Sequence, residues 1–171
     1  PGNAPIKPPS CGPNRASRDD GGRLMVAAAV GAVGDFLDRA QALAKAGVDA
    51  LVVDIAHGDS LLMLSAIGQL RELLGEFPLV AGNVATAEGA ERLIQAGADA
   101  VKVGVEPGST CITREVAGVG VPQFTAVLQA AEVARRHEVP VIADGGVRNS
   151  ADVAKAIGAG ACTVMLGGLL A

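Results

Sequence analysis

The stretch Ala46-Gly47-Val48-Asp49-Ala50-Leu51-Val52-Val53-Asp54 decides how this chain reads. Its glycine can take the left-handed conformation that ends a helix, and an apolar run of strand character follows at once. The same pattern returns at Ala-Gly-Ala-Asp-Ala-Val-Lys-Val-Gly (96–104) and at Ala-Gly-Ala-Cys-Thr-Val-Met-Leu-Gly (159–167). Working outward from these three, strand-like runs fall at 24–30, 50–54, 79–83, 100–104, 139–144 and 163–167. Amphipathic helical stretches such as 36–46, 88–96 and 152–157 lie between them. The strand runs are continuously apolar, as expected where both faces of a parallel sheet are covered. Repeated βα units predict either a doubly wound sheet or a (β/α)8 barrel of the TIM type. The doubly wound fold leads one to expect a glycine-rich phosphate loop after the first strand. Gly31-Ala32-Val33-Gly34 matches that only in part, so the barrel is the preferred reading.

Composition bounds the function. The chain has 171 residues, half of them hydrophobic, enough for one sizeable core. A net charge of −4 gives no basic footprint, and three phenylalanines are its only aromatics, so a nucleic-acid partner is not expected. No apolar run has the roughly 18 residues that span a bilayer, so no membrane partner is expected. Cys11, Cys111 and Cys162 are too scattered for a disulfide framework or a zinc site, which suits a reducing, cytoplasmic setting. Residues 1–22, with five prolines among Gly, Asn and Ser, read as a linker or edge segment, and 23–171 as a partial barrel. About six βα units are legible where a barrel needs eight. Two further strands in a longer parent, or another chain, would complete the sheet, and this chain reads as a fragment or truncated member.

The chemistry gathers where strands end. After 100–104 comes the longest connection, holding Gly108-Ser109-Thr110-Cys111-Ile112-Thr113-Arg114. A thiol in a polar, glycine-rich loop near a cation is a candidate nucleophile. Asp144-Gly145-Gly146 ends the fifth strand and Gly167-Gly168 the sixth. The carboxylate suits sugar hydroxyls, and the paired glycines let backbone N–H groups approach a phosphate. Barrels often bind phosphate at these last two loops. Asp54 and Asn83, closing the second and third strands, could contact a ribose or a carboxamide. His57 reads first as a packing or hydrogen-bonding residue and second as a general base. His137 reads as solvated, Cys162 as a small buried hydrophobe, and the helices' charged residues as solvated faces.

Taken together, these motifs resemble one family. The loop 108–114 with Gly118-Val119-Gly120-Val121-Pro122-Gln123 is similar to the catalytic-cysteine loop of the inosine monophosphate dehydrogenase and guanosine monophosphate reductase family. Asp54-Ile-Ala-His-Gly58, Ala81-Gly-Asn-Val-Ala-Thr86, Val141-Ile-Ala-Asp-Gly-Gly146 and Val164-Met-Leu-Gly-Gly168 follow the family's order. The resemblance covers 14–171 and implies a purine nucleoside monophosphate substrate. It implies that Cys111 attacks C2 of the purine, that hydride passes to NAD, and that Thr113 orients the water that hydrolyses the thioimidate. Ser109, Gly146, Gly167 and Gly168, with Gly145 beside them, would hold the 5′-phosphate, and Asp144 the ribose. Asp54, Asn83 and Gly104 would lie along the nicotinamide riboside. Carbonyls of Gly108 and Cys111 would bind a potassium ion, and a homotetramer would be the assembly.

The chain departs from the family in several places. Glu106 replaces a usual glycine, and Gly168 stands where many dehydrogenases have serine and reductases often have glycine. The segment Asn14-Arg15-Ala16-Ser17-Arg18-Asp19 resembles the re-entry into the barrel after a dehydrogenase's regulatory domain. The first two strands, the dehydrogenase's flap arginine and the reductase's catalytic glutamate have no counterpart here. The reading is a portion of an inosine monophosphate dehydrogenase. The alternatives are a guanosine monophosphate reductase using NADPH and releasing ammonia, or a nucleotide-binding barrel without turnover.

Overall fold

The computed structural model describes residues 16–105 and 120–170. Six strands alternate with five helices among them. In chain order these are β1 (Ala27–Val30), α1 (Phe36–Ala46), β2 (Ala50–Asp54), α2 (Leu61–Leu74), β3 (Leu79–Val84) and α3 (Ala87–Gln95). β4 (Ala100–Val103), α4 (Gln123–Arg136), β5 (Val141–Asp144), α5 (Ser150–Gly158) and β6 (Thr163–Met165) complete the series. Every strand pairs in parallel with the next, so spatial order equals chain order. A doubly wound sheet must reverse its order partway. Crossovers that keep one hand and always step the same way put all the helices on one face. The doubly wound alternative is thereby removed, and the architecture is a partial (β/α) barrel.

The two faces of the sheet are unlike. Leu51, Val53, Leu79, Ala81, Val101 and Val103 point to the helix layer and are fully buried. α2 meets them with Met63, Ala66, Ile67 and Leu70, an i, i+3, i+4, i+7 stripe that buries completely. Each large side chain of that stripe contributes about 1.5–3 kcal/mol of burial. The opposite, inward face is covered only at the centre. Ala27, Ala29, Thr163 and Met165 on the outer strands are exposed there, whereas Ala100 and Lys102 on β4 are buried. Continuous apolar runs thus misstate the flanking strands, whose second face would be covered only by a closed barrel. β1 starts three residues later than the apolar run at 24, because Leu24 pairs back onto Arg18 in an isolated antiparallel bridge.

The three sequence repeats share one local structure. Gly47, Gly97 and Gly160 have φ of +88°, +108° and +106°. In each, the glycine N–H bonds three residues back and the following N–H five residues back, as in Gly97 to Ile94 and Ala98 to Leu93. That is the Schellman ending. The aspartates of the first two repeats then grip the neighbouring strand twice. Asp99 N donates to Leu79 O at 2.8 Å, and Leu79 N donates to Asp99 Oδ2 at 2.8 Å. Asp49 does the same with Val26. Cys162 holds this position in the third repeat and keeps only the backbone bond, to Val141 O.

Two expectations are corrected here. Cys162 is exposed, since β6 is an outer strand with one unpaired edge among the described residues. The helix charges are not all solvated. Arg71 donates to the carbonyls of Gly75, Phe77 and Gly97 at 2.6–2.9 Å and to Asp99 at 2.5 Å, stitching α2 to the entry of β4. His137 is exposed, as the sequence reading expected, and its Nε2 also pairs with Glu91 Oε1 at 2.8 Å, joining the end of α4 to the middle of α3.

Candidate active site

Among the described residues one charged or polar residue is buried, and it stands on the inward face of the central strand β4. Lys102 is paired in register with Gly82 of β3 and Ile142 of β5. A lysine ammonium is buried only when its charge is met. Lys102 Nζ meets Asp144 Oδ2 at 2.5 Å and Asp54 Oδ2 at 3.2 Å, so two carboxylates from β5 and β2 converge on one cation. The lysine can cross between them because Gly82 leaves the space. A Cβ at position 82 would lie 2.6 Å from the Cβ of Lys102. Lys102 uses one oxygen of each carboxylate. Oδ1 of Asp54 and Oδ1 of Asp144 accept no hydrogen bond from the described residues, which leaves both for a ligand's hydroxyl groups.

Asn83 joins this cluster through an irregularity. The β3–β4 register shifts between Gly82 and Val84, and Asn83 is the extra residue. Such bulges re-aim a side chain. Here Nδ2 donates to Gly104 O at 2.7 Å and Asp144 Oδ2 at 3.0 Å, while Oδ1 is buried without a partner among the described residues. An unpaired buried acceptor is rare in folded proteins and fits a ligand N–H, such as that of a carboxamide. The motif at 54–58 packs against this turn. Gly58 N donates to Asn83 O at 2.8 Å, and a Cβ on Gly58 would stand 2.7 Å from that oxygen. Gly104, with φ of +147°, lies so near β5 that a Cβ would come within 2.0 Å of Asp144 O. Gln123 at the start of α4 donates to Val103 O at 2.9 Å and Asp144 O at 3.1 Å.

The other sequence-derived candidates are more dispersed. Gly145 and Gly146 follow β5 with φ of +95° and +76°, a conformation that favours glycine. Gly167 and Gly168 follow β6, whose Met165 is registered with Asp144, so the two glycine pairs leave adjacent strands at the same end. An added Cβ at either of the second pair would meet nothing, so their backbone does not demand glycine. A cavity of about 160 Å³ lies behind Gly145 and Gly146, against Phe124, Val127 and Ala156. That is well below the roughly 300 Å³ of ordinary ligand pockets, so it holds at most part of a ligand. His57 is exposed and makes no hydrogen bond among the described residues. Next to it, the Arg92 guanidinium holds the Asp59 carboxyl below its ordinary range by hydrogen bonding, fixing the loop after β2 to α3. Gly108, Ser109, Cys111 and Thr113, together with Glu106, lie outside the described residues. Among those described, no group of three His, Cys, Asp or Glu side chains could hold a metal, and no helix is long and apolar enough to cross a membrane.

Sequence reading missed Lys102 and Gln123. The signal for Lys102 was present: a cation inside a run otherwise apolar and covered on both faces must have a buried partner. Gln123 carried no such signal, because a polar residue at a helix start is ordinary.

Residues 12–171 match the model of the IMP dehydrogenase / GMP reductase domain. Inosine-5′-monophosphate dehydrogenase of Aquifex aeolicus is 58% identical over 156 residues, covering 91% of this chain and 32% of the relative. That of Nitrosopumilus maritimus is 54% identical over 155 residues, covering 91% and 33%. The chain thus spans about a third of the length of these curated relatives. Among solved structures, GMP reductase from Trypanosoma brucei in complex with guanosine 5′-monophosphate superposes with a TM-score of 0.86 at 57% identity, covering 89% of this chain and 32% of that one. The same reductase in complex with guanosine 5′-triphosphate gives 0.87 at 57%, covering 91% and 37%.

Proposed function

The chain belongs to the IMP dehydrogenase / GMP reductase family, and on that premise we propose that it is the substrate- and cofactor-binding portion of an oxidoreductase converting inosine 5′-monophosphate to xanthosine 5′-monophosphate with NAD. One observation carries the reading. Asp54 and Asp144 converge on the buried Lys102, and Asn83 bonds to Asp144, at the C-terminal strand ends where barrels do their chemistry; each of the three keeps an acceptor oxygen unused among the described residues.

In this reading Asp144 binds the ribose hydroxyls through Oδ1, held in aim by Lys102 and Asn83 on its other oxygen. Backbone N–H groups at Gly145 and Gly146, with Gly167, Gly168 and Ser109, receive the 5′-phosphate. The purine then lies over β4 and β5 with its C2 toward the loop that follows Gly104. Asp54, Asn83 and Gly104 would hold NAD, whose nicotinamide supplies a hydride acceptor. The orphaned Oδ1 of Asn83 fits its carboxamide N–H. Cys111 adds its thiolate to C2. With the C2 hydrogen gone as hydride, the purine stays on sulfur as a thioimidate. Thr113 orients the water that forms the C2 carbonyl and returns the thiol. A free thiol nucleophile needs a reducing compartment, consistent with cytoplasm.

A second reading, favoured by the superposition on GMP reductase, is a reductase that consumes NADPH and releases ammonia. One assay separates them. NADH formation is followed with inosine 5′-monophosphate, NAD and potassium, beside the Cys111→Ala variant. Turnover abolished by the substitution is the expected result. NADPH consumption and ammonia release from guanosine 5′-monophosphate would transfer the chain to the reductase branch. Nucleotide bound without either turnover would leave a binding barrel.

A further inference from the structure

Gln123 stands where β4 and β5 stop pairing. The last ladder pair is Val103 with Ala143, and beyond it the two strands lead to Gly104 and Asp144. There the Gln123 amide supplies the interstrand bonds that the backbones no longer make, donating at once to Val103 O and Asp144 O. Asn83 binds the same junction through Gly104 O and the Asp144 carboxylate. Gln123 pins the backbone of this junction, and Asn83 its side chain. The arrangement carries a cost, since Gln123 Oε1 is buried with no donor among the described residues. It is pressed toward Gly104, where an added Cβ would lie 3.0 Å from it. An apolar side chain would fill this space without orphaning an acceptor. Local rules broken in this way mark functional positions.

We infer that Gln123 is a positioning residue that sets the spacing between Gly104 and Asp144 without touching a ligand. The inference rests on the proposed reading, in which Asp144 holds the ribose and Gly104 lies beside the cofactor. Gln123 also connects the two ends of the segment that carries Cys111. That segment departs after Val103 and returns at Gln123 itself, and the two are joined by a single hydrogen bond.

The test uses the full chain, with Gln123→Met, which keeps the length and removes both donors, and Gln123→Glu. Binding of inosine 5′-monophosphate and of its 2′,3′-dideoxy analogue is measured by calorimetry. Gln123→Met weakens the parent nucleotide about tenfold or more, because a hydrogen bond to a charged group is lost. It leaves the dideoxy analogue within about twofold, because only the Asp144 contribution has been uncoupled. Gln123→Glu regains affinity as the pH falls and its carboxyl becomes a donor, whereas Gln123→Met shows no such recovery. Equal loss for both nucleotides, or no loss, overturns the inference. Should the wild type bind neither nucleotide, the functional reading fails, and positioning is judged by amide hydrogen exchange. Faster exchange at 104 and 144–146 in Gln123→Met, with β1 and β2 unchanged, then supports it, and unchanged exchange overturns it. If Gln123→Met does not fold, Gln123→Glu at low and neutral pH makes the same comparison.

Discussion

Lys102 has 6% of its side chain exposed, Asp144 23% and Asp54 45%. The pair with Asp144 is therefore the desolvated one, and the Asp54 carboxylate keeps much of its water. Lys102→Met would leave Asp144 facing Asn83 without its cation. Breaking a buried pair from one side costs about 3–5 kcal/mol, and the solvation of Asp54 puts the expected loss at the lower end. Urea unfolding measures it, and a loss under about 1 kcal/mol would show that water screens the pair already. The sequence displayed Asp54, Asn83, Gly104 and Asp144 at strand ends, because parallel units end with their functional residues at one edge of the sheet. It did not display the lysine that gathers the two carboxylates, because nothing local says which carboxylates a buried cation will meet.

At the scale of the element, the helix-to-strand joint repeats four times. Three copies use glycine at positive φ. The fourth, after α4, makes the same two bonds, Glu138 N to Arg135 O and Val139 N to Ala134 O, with Glu138 at φ +59°. A side chain there costs of order 1 kcal/mol or more. Glu138→Gly is expected to stabilise the chain by about 0.5–1 kcal/mol after the extra freedom of the unfolded glycine is subtracted. A thermal melt that falls instead would mean that the Glu138 side chain makes a compensating interaction. The glycine repeat was readable because the Schellman ending is a local device. The fourth copy escaped because its glycine is missing while its geometry persists.

For the whole molecule, the unpaired edges are the dominant fact. Met25 and Val26 beside β1 and Met165, Leu166 and Leu170 around β6 are 39–78% exposed, and nothing among the described residues covers them. Open parallel edges with apolar flanks invite association. Sedimentation is expected to show concentration-dependent self-association, reduced when Val26→Lys and Leu170→Lys are combined. A monomer at every concentration, with or without the lysines, would mean that these edges are covered in solution.

The sequence alone determined the order and type of the βα units, because each is written in contiguous residues: an apolar stripe, a helix-ending glycine, a strand run. It also carried the family, through short motifs in fixed order. Only the tertiary structure decided that the strands lie in unreversed order, that their inward face is partly open, and that Lys102, Asn83 and Gln123 bind Asp144 from three directions. Those facts depend on pairing and register between residues about 20 to 60 positions apart, and on burial, which the stepping of successive units around the sheet alone creates.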